Sequence, residues 1–370
     1  MKLGIIINPI AGMGGRVGLK GTDGLDILKK AVTLGAKPLA HIRTQWALQA
    51  LLPLRSQVEI VTCPSPMGEQ TVKESGFQPC ILPLSLGEKT SAKDTILAAH
   101  LMKEKKVDLL LFSGGDGTAR DIHQAVGNTM LVLGIPAGVK IHSAVYAANP
   151  FKAGELAELT LKGKIRETRD LEVMDINEED YRKGYLSARL FGYLKVPFRK
   201  NYIQNQKAGS SPSEKYSQEA IAAEIAENMS DEYIYIIGPG TTTRSIMERI
   251  SLPYSLLGVD LVFKKKLAAN DLNESELLKK TKGKKIKILV APIGGQGYIF
   301  GRGNQQISPE IILRAGKDNI LVAATKAKLH SLFGRPLLVD TGDRQVDSLL
   351  HGYIEVITGY RESVIYPVSS

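Results

Sequence analysis

The chain has 370 residues, a hydrophobic share of 43%, a charged share of 23% and a formal net charge of +10 at pH 7. This length predicts two domains, and the composition is that of an ordinary soluble protein. No run reaches the roughly 18 apolar residues that a membrane span needs, and the N-terminus turns to Gly and Pro too early for a signal peptide. We therefore expect a cytoplasmic protein without a membrane partner.

The net charge raises the question of a nucleic-acid partner. The basic runs are Lys103–Lys106, Lys264–Lys266 and the run from Lys279, and none of them is interleaved with aromatic residues. They fall at expected helix ends and connections, which is typical of a solvated surface. We expect no nucleic-acid partner. The alternative role of this charge is to steer a small anionic substrate.

The first 160 residues alternate between apolar strands and helical segments, beginning with the strand KLGIIINPI and a glycine-rich turn. Ser91 and Asp94 have the spacing of a capping box at the start of one helix. The further expected elements are helices at about 26–34 and 43–51, strands VEIVTC and QPCILPL, helix SAKDTILAAHLMKEKK, strand VDLLLFSGG, helix TARDIHQAVG and strand MLVLGIPAG. This order predicts a doubly wound, Rossmann-like α/β domain over residues 1–160.

From residue 161 onward, Tyr, Val, Leu and Arg alternate with turn residues, which favours antiparallel strands. The stretch KAGSSPSEKYS at 207–217 is typical of an exposed loop, and a helix is expected at about 217–229. Strands followed by glycine and a helix then return, and the closing YIEVITGYRESVIYPV predicts a hairpin. We expect a β-rich second domain with α/β segments over residues 161–370.

The loop Gly114-Gly115-Asp116-Gly117-Thr118 follows the most apolar strand of the first domain. Glycines on both sides of Asp116 allow the backbone to approach a ligand, and Thr118 is placed to cap a helix from Ala119. The helix N-terminus favours a phosphate, and the carboxylate is suited to accept a hydroxyl proton or to bind Mg²⁺. The alternative is an ordinary aspartate N-cap.

Three further segments are candidate phosphate sites. The first loop, with Asn8, Gly12 and Gly14, has neither dinucleotide-fold nor P-loop spacing but leaves backbone N–H groups free, with a tight turn for helix packing as its alternative. Lys140, His142 and Ser143 follow a Pro-Ala-Gly turn, and a histidine in such a place is also compatible with a structural role. The segment GPGTTTR supplies Gly240, Thr241, Thr242 and Arg244, with an ordinary capped glycine turn as its alternative.

Together these segments resemble a known family. GGDGT at Gly114–Thr118 is similar to the signature of NAD kinases, diacylglycerol kinases and sphingosine kinases. Within that superfamily the chain most resembles the ATP-NAD kinase-like family of the acetoin-catabolism protein X type. The segments that carry this resemblance are TSAKDT from Thr90, GIPAGVKIHS from Gly134, GPGTTTR from Gly238, PIGGQG from Pro292 and GRGNQQ from Gly301.

The resemblance implies an NAD kinase-like fold and transfer of a phosphoryl group from ATP to the adenosine 2′-hydroxyl of NAD, giving NADP. It also implies Mg²⁺ as the cation and a homo-oligomer. Asp116 would be the catalytic carboxylate, acting by position as the attacking hydroxyl loses its proton. Asn177-Glu178 and Asn273-Glu274 do not stand in the Ala-Leu-Asn-Glu setting typical of NAD kinases. Another hydroxylated metabolite or a lipid as acceptor, or a non-catalytic nucleotide-binding protein, therefore remain as alternatives.

Overall fold

The computed structural model describes residues 1–19, 25–87, 89–138, 141–176, 188–199, 202–203, 212–255, 257–293 and 296–370. The chain divides into two units. Unit 1 comprises Met1–Met13 and Gly21–Gln206, and unit 2 comprises Gly14–Lys20 and Lys207–Ser370. Within the described ranges, no helix has both the length and the apolar character that a membrane crossing requires.

Unit 1 is built on a five-stranded, wholly parallel sheet of order β3-β2-β1-β4-β5. Its strands are β1 Lys2–Ile7, β2 Glu59–Thr62, β3 Cys80–Ile81, β4 Leu109–Gly114 and β5 Val132–Pro136. Every residue of β4 is buried, as its continuous apolar sequence predicts for a central strand covered on both faces. The doubly wound α/β fold of the N-terminal region is therefore confirmed.

The sequence predicts four of the six described helices of unit 1 to within a few residues and gives no prediction for the other two, Glu69–Glu74 and Pro150–Leu161. The six are α1 Leu25–Thr33, α2 Ala40–Gln49, α3 Glu69–Glu74, α4 Ala92–Glu104, α5 Asp116–Val126 and α6 Pro150–Leu161. The capping box of Ser91 and Asp94 at α4 is present. The predicted start of α5 at Ala119 is wrong, because Gly115 is the N-cap and Asp116 is already helical. Thr118 thus lies inside the first turn and does not cap the helix.

An antiparallel pair, β6 Thr168–Ile176 and β7 Ala188–Pro197, follows in the same unit. The sequence assigned residues 161–206 to the second domain, but they lie in unit 1. Their apolar side chains explain this, because Val173, Leu194 and Val196 are buried in the same core as β1 and β4. Periodicity predicts that such strands exist but not which core they join.

Unit 2 is built on a nine-stranded mixed sheet of order β10-β9-β8-β11-β13-β15-β16-β14-β12. Its centre is parallel, since β8, β11, β13 and β15 pair in that direction. The predicted closing hairpin is confirmed as the antiparallel pair of β15 and β16. The strands are β8 Ile234–Ile237, β9 Asp260–Phe263, β10 Lys266–Ala269, β11 Ile286–Val290, β12 Tyr298–Phe300, β13 Ile320–Ala323, β14 Leu337–Val339, β15 Gly352–Gly359 and β16 Glu362–Ser369.

Helices cover this second sheet. They are α7 Pro212–Glu227, α8 Thr241–Arg249, α9 Glu274–Lys280, α10 Pro309–Ala315, α11 Lys326–His330 and α12 Arg344–Leu350. Because α7 begins at Pro212, the second half of the predicted loop at 207–217 is helical, and residues 207–211 lie outside the described residues. Ile221 and Ile225 of α7 pack with Ile246 of α8 against the sheet residues Tyr235 and Leu289.

The strand order of unit 1 reverses between β1 and β4, which are neighbours in the sheet but not in the chain. In open α/β sheets, ligands bind outside the carboxyl ends of the strands at such a reversal. The loops that leave β1 and β4 are the Asn8 loop and the GGDGT loop (Gly114–Thr118). Both loops that the sequence predicts to bind phosphate therefore lie at the carboxyl ends of strands β1 and β4, where the strand order reverses.

Candidate functional site

The GGDGT loop is held by contacts with the protein itself. The carbonyl oxygen of Gly114 accepts hydrogen bonds from the backbone amides of Ala137 and Gly138, both at 2.9 Å. A Cβ added to Gly114 would lie 2.3 Å from the hydroxyl oxygen of Thr118, and one added to Gly115 would lie 3.2 Å from the Cα of Gly138. Packing within the protein thus requires glycine at Gly114 and leaves little room for a side chain at Gly115.

Asp116 is 7% exposed and begins α5. Its Oδ2 accepts the backbone amide of His142 at 2.7 Å, and its Oδ1 accepts that of Ser143 at 2.9 Å. A buried carboxylate is costly unless its charge is compensated by hydrogen bonds such as these. The carboxylate therefore joins the loop after β4 to the loop after β5.

Of the three predicted residues after β5, the structure assigns backbone contacts to two. His142 and Ser143 reach Asp116 through their amides. The Ser143 hydroxyl donates to the carbonyl of Met174 at 2.8 Å and accepts its amide at 3.0 Å, so it is committed to β6. Lys140 lies outside the described residues.

The loop after β1 is fastened to the same place. The Asn8 side chain donates from Nδ2 to the Thr118 hydroxyl at 3.0 Å and accepts the Ile10 amide at 3.2 Å. Gly12 has a φ of +78°, and a Cβ there would lie 2.0 Å from the carbonyl oxygen of Ala137. Three neighbouring loops of unit 1 therefore meet around the start of α5.

This arrangement is suited to bind an anion. Gly115 supplies no side-chain cap to α5, and the first amides of a helix have no intrahelical acceptor. The eleven-residue helix adds its partial positive charge at that end. Asp116 and Gly117 lie in this first turn, so backbone donors and one carboxylate are adjacent, as phosphoryl transfer to a hydroxyl requires.

The remaining predicted residues lie in unit 2. Gly240 has a φ of 147° and precedes α8 without a side-chain cap. Thr241 accepts a hydrogen bond from Gln218 at 3.4 Å, while Thr242 is fully buried and its hydroxyl has no hydrogen-bond partner among the described residues. The start of α8 thus has one buried hydroxyl, that of Thr242, without a hydrogen-bond partner among the described residues.

Arg244 does not serve this helix start. Its Nε donates to Glu248 at 2.8 Å one turn along the helix, and its guanidinium lies over the Tyr254 ring at 4.8 Å. The hydrogen bond with Glu248 is the main cause of the raised pKa of Arg244. A bidentate contact of Arg244 with a phosphate would first require these interactions to break.

Gly14 belongs to the short N-terminal segment of unit 2 and is buried. In that segment, the Arg16 carbonyl accepts the Glu274 amide at 3.1 Å, and a Cβ on Gly15 would lie 3.0 Å from the Gln305 side chain. Asn273 caps α9 by accepting the Glu276 amide at 3.0 Å. These contacts are within unit 2 and give the segment a packing role.

Arg302 of the segment GRGN, which begins at Gly301, forms a buried ion pair that the sequence does not predict. Arg302 is 2% exposed, and its Nε lies 3.4 Å from Oδ2 of Asp340, which is 5% exposed. Its guanidinium stacks over the Tyr298 ring at 4.7 Å. Breaking such a pair would leave an uncompensated buried charge, so these residues fix the loop. Gly294 and Gly295 of the GGQG segment lie outside the described residues.

Sequence reasoning also missed Lys328, in the first turn of α11. Burial around its ammonium lowers the pKa of Lys328 to about 8, against the opposing effect of Glu214 on α7. Thr325 donates to Glu214 at 3.2 Å, while Gln218, one turn further along α7, contacts Thr241. One face of α7 thus contacts the starts of α8 and α11. No motif marks Lys328, whose shift arises from long-range packing.

The described residues contain no group of three or more His, Cys, Asp or Glu side chains that would hold a metal ion. Asp116 lies at the start of α5, and its two oxygens accept one amide each. Among the described residues, this helix start therefore offers a single carboxylate, and no cluster, to Mg²⁺. This is compatible with a cation bound mainly by nucleotide phosphates and water.

Comparison with known proteins identifies two domains. Residues 3–165 match the ATP-NAD kinase N-terminal domain, and residues 230–368 match the ATP-NAD kinase C-terminal domain. Together the two matches span most of the chain. No curated protein matches the sequence.

The chain is also similar in structure to parts of solved proteins, among them the following two. A putative diacylglycerol kinase from Bacillus anthracis str. Sterne is 16% identical over 48% of this chain and 45% of that chain, with a TM-score of 0.26. A putative UDP-N-acetylglucosamine 2-epimerase from Listeria monocytogenes is 10% identical over 90% of this chain and 82% of that chain, with a TM-score of 0.27. This chain thus spans less than half of the diacylglycerol kinase, and neither likeness bears on the site.

The contact of Gly12 with Ala137 predicts a large effect of a single methyl group. Gly12→Ala should cost at least twice as much stability as Gly35→Ala, measured by urea unfolding. Both positions have positive φ, at +78° and +82°, but a Cβ at Gly35 meets nothing within 4 Å. We expect about 1 kcal/mol for Gly35→Ala from the backbone alone. Equal costs would show that the Gly12 loop moves freely away from Ala137.

The pKa of Lys328 predicts a pH-dependent stability. Its folded value of about 8 lies below the ordinary 10.5, so the unfolded chain binds more protons between those values. Relative to Lys328→Met, the wild type should gain about 2 kcal/mol in unfolding free energy between pH 7 and pH 10. Denaturant titrations at both pH values measure this, with Lys284→Met at an exposed position as control. A constant difference would contradict the buried ammonium.

Proposed function

The chain belongs to the ATP-NAD kinase family, and on that premise we propose that it transfers a phosphoryl group from ATP to the adenosine 2′-hydroxyl of NAD, giving NADP. Family membership supports a kinase-type phosphotransferase with ATP as donor. NAD as acceptor, a cytoplasmic location and a homo-oligomeric state are parts of the proposal.

The observation that carries the proposal is the position of Asp116. Its buried carboxylate lies at the N-terminus of α5, where the strand order of unit 1 reverses. Positive helix-end charge and a fixed carboxylate are the two elements that a phosphoryl transfer to a hydroxyl needs side by side. The loops of Asn8, Gly12 and Gly114 hold this pair in one geometry.

In this proposal, the first amides of α5, from Asp116 to Thr118, bind phosphate oxygens of the donor. The amides of His142 and Ser143 hold the Asp116 carboxylate in the orientation in which it meets an attacking hydroxyl. Asp116 accepts the hydroxyl proton as the new bond forms, so its contribution depends on orientation. Gly115 and Gly117 leave the phosphate approach without side chains.

Mg²⁺ would enter with ATP. It neutralises charge on the phosphates when bound, and Asp116 is the residue of unit 1 proposed to contact it. In unit 2, the start of α8 with Gly240, Thr241 and Thr242 is proposed as a second anion-binding element, and Gly14 is proposed as part of the phosphate-binding loop. Lys140 and Arg244 remain proposed phosphate contacts, the latter after release from Glu248.

One observation favours a different acceptor. Asn273, in one of the two Asn-Glu pairs of the sequence, is engaged as the N-cap of α9 and hydrogen-bonds Glu276. The other pair, Asn177-Glu178, lies outside the described residues. An Asn-Glu grip on the nucleotide, typical of the resembled family, therefore has no support from the described residues. A kinase of another hydroxylated metabolite on the same fold is the second candidate.

An acceptor screen separates the two candidates. The purified chain is incubated with ATP and Mg²⁺ and with NAD, NADH, nucleosides, sugars or lipids, and the products are read by ADP release and product mass. We expect ADP release that depends on NAD and a product heavier by one phosphoryl group. Phosphorylation of another acceptor, with NAD inert, would replace the substrate while keeping the kinase. No transfer to any acceptor, with ATP still bound, would favour a non-catalytic nucleotide-binding protein.

Asp116→Asn should abolish transfer while largely retaining ATP binding. The asparagine amide keeps one acceptor but turns an NH₂ group toward a backbone N–H, so we also expect a stability loss of about 1–3 kcal/mol. Transfer rate, ATP affinity and melting temperature are measured together. Asp121→Asn, which neutralises another buried carboxylate of α5, is the matched control and should keep activity. Wild-type rates in Asp116→Asn would remove Asp116 from the mechanism.

A further inference from the structure

The hydroxyl of Tyr146 donates a hydrogen bond to the carbonyl oxygen of Gly115 at 2.5 Å, at the short end of the O–H···O range. Gly115 immediately precedes Asp116, and its carbonyl also accepts the Ala119 amide at 3.1 Å, the first bond of α5. Both lone pairs of this oxygen are thereby used. The plane of the Gly115–Asp116 peptide is fixed from two directions.

The Tyr146 ring is itself held rigidly. It is fully buried and lies edge-on to Phe112 of β4, with centroids 5.3 Å apart. It fills a notch at Gly134 of β5, where a Cβ would lie 2.3 Å from the ring. The neighbouring backbone pairs with β5, since Gly134 bonds to Val145 and Ala147. The position of the Tyr146 hydroxyl is thus set by contacts of its ring and the neighbouring backbone with strands β4 and β5.

The sequence explains why such a support is needed. Two successive glycines give the chain before Asp116 wide conformational freedom. Gly114 is restrained by the amides of Ala137 and Gly138, and Gly115 by Tyr146. In a buried site, a hydrogen bond holds its partners more firmly than in water. Without the hydroxyl, the peptide that carries Asp116 into α5 would lose one of its two restraints.

We propose that Tyr146 is a positioning residue for the phosphoryl-transfer site: its hydroxyl fixes the Gly115–Asp116 peptide, and through it the Asp116 carboxylate and the first amide of α5. Tyr146 does not touch the substrate in this proposal. Its effect is on alignment in the transition state, where small displacements of a reacting group cost most of the rate. The proposal rests on the proposed function of Asp116.

The test is Tyr146→Phe, which keeps the ring in its notch and removes only the hydroxyl. With the acceptor identified by the screen, we expect kcat to fall on the order of tenfold or more while KM for ATP stays within about twofold. Tyr235→Phe is the matched control, because Tyr235 is 2% exposed and its hydroxyl has one backbone partner, the amide of Ser230 at 2.8 Å in unit 2. It should leave kcat unchanged.

Both variants are assayed about 15 °C below the lower melting midpoint, so that unfolding does not lower kcat. An unchanged kcat in Tyr146→Phe would overturn the proposal, and so would a rise in KM alone. A Tyr146→Phe chain that fails to fold would also overturn it, because the hydroxyl would then hold the fold and not the loop.

A second readout separates this inference from the proposed function. If the wild type phosphorylates no acceptor, the proposed function fails, and Tyr146 is judged by amide hydrogen exchange. Tyr146→Phe should then speed exchange of the Ala119 amide, which donates to the Gly115 carbonyl, with no change at the Gly127 amide, which donates to His123 at the other end of α5. An Ala119 amide that exchanges at the same rate in wild type and variant would show that the hydroxyl does not restrain the loop.

Discussion

One buried carboxylate organises the first unit. Asp116 is shielded from solvent and takes a backbone amide on each oxygen, from His142 and Ser143. Burial of this carboxylate is tolerated only while both amides donate to it, because an ionised carboxylate without hydrogen bonds is strongly disfavoured in the protein interior. The loop after β5, the start of α5 and, through Thr118 and Asn8, the loop after β1 therefore share one arrangement. Chemistry and local folding depend on the same side chain.

Much of the architecture could be read from the sequence. Apolar strands separated by helical segments specify the parallel sheet of unit 1, the Ser91–Asp94 spacing specifies the start of α4, and the GGDGT loop follows a fully buried strand as expected. These features depend on neighbours in the chain. The capping side chain of Thr118 predicts that α5 starts at Ala119, whereas in the structure that hydroxyl accepts a hydrogen bond from Asn8 and the helix starts at Asp116. A hydrogen bond between residues that lie 110 positions apart cannot be predicted from the sequence around either of them.

The same limit applies to the site. The sequence points to Gly12, Gly114 and Gly115 for their lack of side chains, and the structure adds a steric reason, since a Cβ would clash at Gly12 and Gly114 and be tightly packed at Gly115. Tyr146, Asp340 and Lys328 carry no motif, and their environments arise only when distant strands and helices come together. Ser143 shows the opposite case, in which a residue that the sequence pattern marks as a phosphate contact has its hydroxyl hydrogen-bonded to Met174 of β6. A pattern identifies residue types, and the tertiary fold decides their partners.

The path of the N-terminal chain has a practical consequence. Residues Gly14–Lys20 belong to unit 2, although unit 1 supplies the chain on either side of them. Within unit 2 this stretch contributes the Arg16 carbonyl to the Glu274 amide and packs Gly15 on Gln305. A fragment starting at Lys207 would lack this stretch, and a fragment ending at Gln206 would carry it without its packing surface. The two units are interlaced in sequence, so no single cut of the polypeptide yields unit 2 whole, and the cut that yields unit 1 leaves a segment of unit 2 attached to it.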